Sequence, residues 1–314
     1  MIHLHFNLQL VQFFADHRTV FLTRLFLIAS FFGSAQFYAI LTIFLFVAWD
    51  KRQAIRLSVL ILFVMALNDI LKLFIRNPRP FIEQGTYRQK WAVSPENVNS
   101  LAAEYSTPSG HAMGSSAFYT YLFALVSSRF VRVALVLLIV LIGVSRPYLG
   151  VHYVEDVLLG WALGIPIALI AIRYIGRLAG TWAKCSYASQ IVISITGGVA
   201  LWLLAVSLNG RIDGQVRELT AYCGFLSGIV IGCPLELRLV NFDPRSAGPF
   251  AKVLRFAIAL FLLNLVLFGL KILFAPITAP ETASGCALEY LRYVAAEIAA
   301  MFVAPLIFCK MKLA

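Results

Sequence analysis

The chain has 314 residues, of which 61% are hydrophobic and only 13% charged, with a net charge of +11 and a mean hydropathy of +0.84. Soluble domains carry roughly a quarter charged residues, so this composition excludes an ordinary water-soluble enzyme, and the basic excess does not point to nucleic acid. Apolar runs long enough to cross roughly 30 Å of hydrocarbon recur along it, which predicts a polytopic helical membrane protein.

In chain order, the opening MIHLHFNLQLVQFFADHR mixes polar with apolar residues and lacks a small-residue cleavage site. It reads as an interfacial amphipathic helix rather than a cleavable signal. Val20 to Gly33 is too short and interrupted to span and reads as a re-entrant or surface helix, so residues 1–33 form an N-terminal segment. Nine spans are expected, at 34–49, 57–75, 111–128, 131–145, 155–173, 189–208, 218–234, 255–274 and 288–309. Alternating the connections collects Lys51, Arg52, Arg56, Arg129, Arg132, Arg173, Arg177, Lys184, Arg238, Arg245, Lys252, Arg255, Lys310 and Lys312 on one face. The positive-inside bias makes that face cytoplasmic, with the N-terminus outside and the C-terminus inside. One long polar connection, Arg76 to Ser106, falls on the outer side. The five cysteines (Cys185, Cys223, Cys233, Cys286 and Cys309) lack metal-ligand spacing and read as packing residues.

Three polar clusters interrupt the apolar pattern. In KLFIRNPRP, Lys72 ends the second span and Arg79 follows after a proline break, so both cations reach one outer-side pocket. Asp69 stands one turn before Lys72 and is placed to pair with it. In TPSGHAMG, Ser109 is placed to cap a helix whose free amides and positive dipole end face outward, and Gly110 permits close approach by an anion. His111 then stands in the first turn, suited to donate a proton. In SRPYLGVHYVED, Arg146 leaves the fourth span, and His152 and Asp156 at i, i+4 share a helical face, the carboxylate holding one imidazole nitrogen and leaving the other free. Glu155 points about 100° away and receives no role. Taken singly, each cluster has an ordinary reading: a snorkelling lysine, a cap with a chance histidine, a structural His–Asp pair. The loop charges, however, place Lys72, Arg79, Ser109, Gly110, His111, Arg146, His152 and Asp156 on one face. Cations with helix-end amides suit a phosphoryl group, and two imidazoles suit its nucleophile and acid.

The pattern Lys72-x6-Arg79-Pro80, Pro108-Ser109-Gly110-His111 and Ser145-Arg146-x5-His152-x3-Asp156 resembles the complete three-part motif of the type 2 phosphatidic acid phosphatase (PAP2) superfamily. The resemblance covers residues 57–174, with no substitution at a motif position. It implies an integral-membrane, all-α enzyme in which His152 is the nucleophile and forms a phosphohistidine, Asp156 orients it, and His111 protonates the leaving oxygen and later activates water. Lys72, Arg79, Ser109, Gly110 and Arg146 would cradle the phosphate, with no metal or other cofactor. It divides the chain into a core at 34–174 and a C-terminal transmembrane extension at 175–314. The span layout is similar to the glucose-6-phosphatase and sphingosine-phosphate phosphatase branches. Phe74, Phe81, Trp91, Tyr148 and Tyr153 lie near the motifs and suit either lipid headgroups or any membrane interface.

In the extension, Lys271, Glu289, Arg292 and Glu297 lie in or near spans; Glu289 and Arg292 have the spacing of a structural pair, and the half as a whole is expected to shape a headgroup pocket or lateral entrance. The leading expectation is a phosphatase of lipid phosphates or pyrophosphates, with a phosphorylated lipid and the bilayer as partners, in a bacterial inner membrane facing the periplasm or in endoplasmic reticulum facing the lumen. The same chemistry on a sugar phosphate, phosphoryl transfer to another acceptor, and a non-enzymatic transporter of anionic lipids are the alternatives.

Overall fold

A computed structural model describes residues 6–80 and 104–313, and every regular element among them is helical. The chain divides into two compact units. Unit 1 comprises residues 1–38 and 63–176, and unit 2 comprises 39–62 and 177–314. Most of the predicted outer connection, with Phe81 and Trp91, lies outside the described residues.

Unit 1 begins with α1 (Gln9–Asp16) and α2 (Val20–Phe32), the second capped by Thr19, whose hydroxyl accepts from Leu22 N at 3.2 Å. α4 (Lys51–Ile75) starts in unit 2 and ends in unit 1, where Arg76 adopts a left-handed φ of 58° and Pro78 follows, so the helix cannot continue. Then come α5 (Gly110–Leu125), α6 (Arg129–Tyr148) and the start of α7 (Val154–Trp182). Most of α5 is enclosed by its neighbours, from Ala112 to Leu122. The seam between α5 and α7 is made by Gly160 and Gly164. A Cβ at Gly160 would stand 3.0 Å from Ser109 O and Met113 N, and one at Gly164 only 2.4 Å from Met113 O. This small-xxx-small spacing brings the two helix starts together.

Unit 2 contains α3 (Ala35–Ala48, from Ala39 onward), α8 (Tyr187–Asn209), α9 (Gly214–Leu239), α10 (Pro249–Phe274) and α11 (Ala283–Ile298), the last continued through a π-helical turn (Ala299–Val303) into α12 (Ala304–Lys310). Asp213 caps α9 by accepting from Gln215 N and Val216 N at 3.1 and 3.3 Å. α9 packs on α11 through a second glycine seam: a Cβ at Gly224 would meet Tyr290 O at 2.8 Å, and one at Gly228 would meet Glu297 Cβ at 2.4 Å. Arg255 is fully buried, donates to the Leu313, Asp243 and Val47 carbonyls, and lies over the Phe242 and Phe308 rings. It fastens the C-terminus to α10.

Among the described residues, seven helices are long and apolar enough to cross a membrane, and an eighth crossing is available if α2 and α3 act as one span bent by 52°. Nine spans is therefore close, with two differences. α3, predicted to cross alone, has 14 residues, about 21 Å, and reaches membrane length only with α2. α5, also predicted as a span, has 16 residues, about 24 Å. Its apolarity serves burial inside protein as much as contact with lipid.

Candidate active site

The site is assembled within unit 1 from three chain breaks. The first is the end of α4. Lys72 and Arg79 stand on either side of the turn, are 6% and 1% exposed, and both reach the same carboxylate oxygen of Glu104. Asn68, fully buried one turn earlier, donates from Nδ2 to Pro108 O at 3.1 Å and fastens α4 to the next segment.

The second break is the start of α5. The Thr107–Pro108 peptide bond is cis. Ser109 is the N-cap, its Oγ accepting from Ala112 N at 3.4 Å, and its own backbone N–H donates to Asp156 O at 3.1 Å. That bond joins the start of α5 to the first turn of α7. Gly110 is needed for space, because a Cβ there would press on Asn68 Oδ1 at 3.0 Å. His111 follows in the first turn, and the charges of Arg146, Lys72 and Arg79 and the ring of His152 all act on it.

The third break is the turn from α6 into α7. Pro147 ends α6, Gly150 supplies a φ of 79°, and Val151 N donates back to Arg146 O at 3.2 Å. The turn presents His152, 2% exposed, directly before α7. His152 Nδ1 faces Asp156 Oδ2 at 3.3 Å, as the i, i+4 spacing requires. Nε2 lies 3.3 Å from Arg79 Nη1. The tautomer with hydrogen on Nδ1 therefore leaves the Nε2 lone pair directed at the cations. Burial first, then the charges of Arg79, Arg146 and Lys72, hold the His152 ring well below its ordinary pKa. It is a neutral imidazole among cations.

Arg146, 6% exposed, donates from Nη1 to Ser30 Oγ, and its buried Nε has no hydrogen-bond partner among the described residues. An orphaned guanidinium donor is costly, and a bound anion would satisfy it.

Sequence reasoning missed four residues here. Ser106 and Thr107 donate to Asp156 Oδ2 and Oδ1, and Tyr153 N adds a third bond at 2.9 Å, so the carboxylate is saturated by donors. The hydroxyls directly before Pro108 were the available signal. Asn68 had none beyond being polar in a span. Glu104 is the fourth: Oε2 accepts from Arg79 Nη2 at 2.6 Å and lies 3.4 Å from Lys72 Nζ, so it is Glu104 that carries Lys72's ion pair. Burial alone would raise its carboxyl, but the Lys72 and Arg79 charges outweigh that and hold it below the ordinary carboxylate range.

Tyr148 and Tyr153, weighed as headgroup contacts, are instead core residues, packed with Val11, Leu149 and Val151 against Phe6, Phe14 and Phe26; Phe74 is exposed. The N-terminal segment thus covers the outside of the His152 turn, reinforced by Arg18 Nη2 donating to Tyr148 O at 2.6 Å and Asn7 N donating to Glu155 Oε1 at 3.0 Å. Glu155 serves that contact.

A family model described as the PAP2 superfamily matches residues 53–179, and one described as a PAP2 superfamily phosphatase transmembrane extension matches residues 220–314. This chain belongs to the PAP2 superfamily. As a member it is a helical membrane phosphatase, and its extension, read from sequence only as additional spans, is itself a family feature. An undecaprenyl-diphosphatase of Sulfolobus acidocaldarius is 27% identical over 170 residues, covering 54% of this chain and 78% of that protein. Sphingosine-1-phosphate phosphatase 1 of Mus musculus is 24% identical over 281 residues, covering 83% of this chain and 63% of that protein. Among solved structures, a transmembrane PAP2-type phosphatidylglycerolphosphate phosphatase from Bacillus subtilis aligns with a TM-score of 0.44 at 23% identity, over 54% of this chain and 84% of that one.

Proposed function

We propose that this PAP2 member removes phosphate from a phosphorylated lipid, a lipid monophosphate or pyrophosphate, through a covalent intermediate on His152. The observation that carries the reading is the bipolar setting of His152: Nδ1 faces Asp156 and Ser106 Oγ, while Nε2 meets Arg79 among the described residues. In the first step the Nε2 lone pair attacks phosphorus, the P–O bond to the lipid breaks, and His111, entering the step as imidazolium beside the bound phosphate, gives its proton to the departing oxygen. The positive charge gained by the His152 ring is stabilised through Nδ1–H by Asp156, whose own lone pairs are occupied by Ser106, Thr107 and Tyr153 N. In the second step a water loses its proton to His111 and attacks phosphorus, the P–N bond breaks, and inorganic phosphate leaves. Lys72, Arg79, Arg146 and the amides at the start of α5 receive the phosphoryl oxygens, in a site dry enough for those charges to act strongly. No metal takes part in any of these steps.

A lipid rather than a soluble ester is favoured because the site lies among helices suited to a bilayer, and because both named relatives above act on phosphorylated lipids by their names. The positive-inside bias of the predicted loops supports a reaction on the non-cytoplasmic face, periplasmic in a bacterial inner membrane or lumenal in endoplasmic reticulum. The test is phosphate release by the purified chain from lipid phosphates, lipid pyrophosphates and sugar phosphates, with water or alcohols as acceptors. Release from the lipids, lost in His152→Ala, is expected. Preference for a sugar phosphate would overturn the lipid reading, and phosphate appearing mainly on an added alcohol would overturn the hydrolase reading. Lipid binding without any release would favour the transporter alternative.

A further inference from the structure

The cations meant for substrate phosphate already hold an anion, and it belongs to the chain. The Glu104 carboxylate is bound to Arg79 Nη2 at 2.6 Å and to Lys72 at 3.4 Å, while the neighbouring Nη1 of the same guanidinium lies against His152 Nε2. Nη1 also serves Val151 O at 3.1 Å and Nε serves Glu104 O at 3.3 Å, so four of the five Arg79 N–H groups are engaged. A phosphoryl group placed for attack by Nε2 calls on the same two cations. Carboxylate and phosphate therefore compete for them.

We infer that Glu104 is a positioning residue that occupies the phosphate subsite between turnovers, holding Lys72 and Arg79 in register, and yields them to the substrate's phosphate. This rests on the reading that those cations bind phosphate. Three considerations support exchange over a fixed structural pair. Lys72, Arg79 and Arg146 are all nearly buried, and mutually repelling cations need a counter-anion when no substrate is present. The Glu104 side chain is 19% exposed against 2% for Arg79, so it has somewhere to go. A carboxylate brings one negative charge where a phosphate monoester dianion brings two, so substrate displaces it, and competition from the tethered carboxylate weakens the hold on product phosphate as well.

The experiment measures inhibition by inorganic phosphate and orthovanadate, and equilibrium binding of labelled phosphate, on the full chain in detergent. Glu104→Gln should tighten phosphate and vanadate about tenfold, with KM and kcat falling together as product release becomes slow. Glu104→Asp keeps the charge but withdraws it by one methylene, and should tighten both anions about threefold. That variant separates occupancy of the subsite from net charge, and gives the readout if the glutamine variant fails to fold. Unchanged or weaker anion binding in folded Glu104→Gln, or in Glu104→Asp where only that variant folds, overturns the inference. Arg79→Ala is the independent control: if it leaves phosphate binding intact, the phosphate-site reading itself is wrong, whatever Glu104 does.

Discussion

The two units use the same packing device for different ends. In unit 1 the Gly160 and Gly164 seam draws the start of α5 onto the start of α7, and what meets there is a cap, two histidines, a carboxylate and, from neighbouring turns, three cations. In unit 2 the Gly224 and Gly228 seam draws α9 onto α11 just as closely. Several charges there pair with one another. Glu289 accepts from Arg217 at 2.8 Å and from Arg292 at 2.9 Å, as the spacing of Glu289 and Arg292 led one to expect, and Lys51 pairs with Glu236 at 2.9 Å. Close helix packing is thus common to both, and chemistry is distinguished by cations in excess around a neutral imidazole.

The comparison can be broken most forcefully at the seams. Gly164→Leu drives a side chain into Met113 O and Ser116 Oγ and should separate α5 from α7; activity per folded molecule should fall at least about a thousandfold, on top of the 1–3 kcal/mol or more that overpacking costs. Gly228→Leu, equally crowded by Glu297, should lower the melting temperature comparably while the surviving folded enzyme keeps kcat within a few-fold. Parallel thermal melts and kcat values decide whether the seams differ in this way.

Ser106→Ala removes one donor from Asp156, and kcat should drop about 10- to 100-fold, following the 1–3 kcal/mol of an unsatisfied buried partner. KM should barely move, because Ser106 acts through Asp156 and not on phosphate.

The pH dependence sharpens the same contrast. His152 is held below its ordinary value, about 6.5. As pH falls from about 6.5 toward the folded-state value, the unfolded chain binds a proton that the folded chain refuses, so stability declines while the lone pair stays available. The acid limb of kcat/KM for His152 should therefore lie clearly below pH 6.5; a limb at or above 6.5 would show a histidine exposed to water. The smallest effect is expected at Glu289→Gln, which should lower stability modestly and leave hydrolysis within about threefold, since its partners among the described residues are Arg217 and Arg292.

The motif residues were legible because their chemistry imposes local spacing: an i, i+4 His–Asp pair, a cap followed by glycine and histidine, two cations flanking a proline break. Ser106, Thr107 and Glu104 were harder, since their partners lie 25 to 50 residues away and hydrogen bonding to a distant carboxylate or cation leaves no periodic trace. The span count was legible only to within one or two. Hydropathy registers that a helix avoids water, and it cannot tell enclosure by protein, as around α5, from contact with lipid; nor does it register the 52° bend joining α2 to α3.

The account turns on a phosphorus–nitrogen bond at His152, and the most direct measurement is an alkaline quench of the enzyme with phosphorus-labelled substrate followed by peptide mapping. An acid-labile label is predicted on the peptide containing His152, absent from His152→Ala and more abundant in His111→Ala with an activated leaving group, where the first step needs no acid. Turnover by wild type with no label on that peptide, or undiminished turnover by His152→Ala, would contradict it.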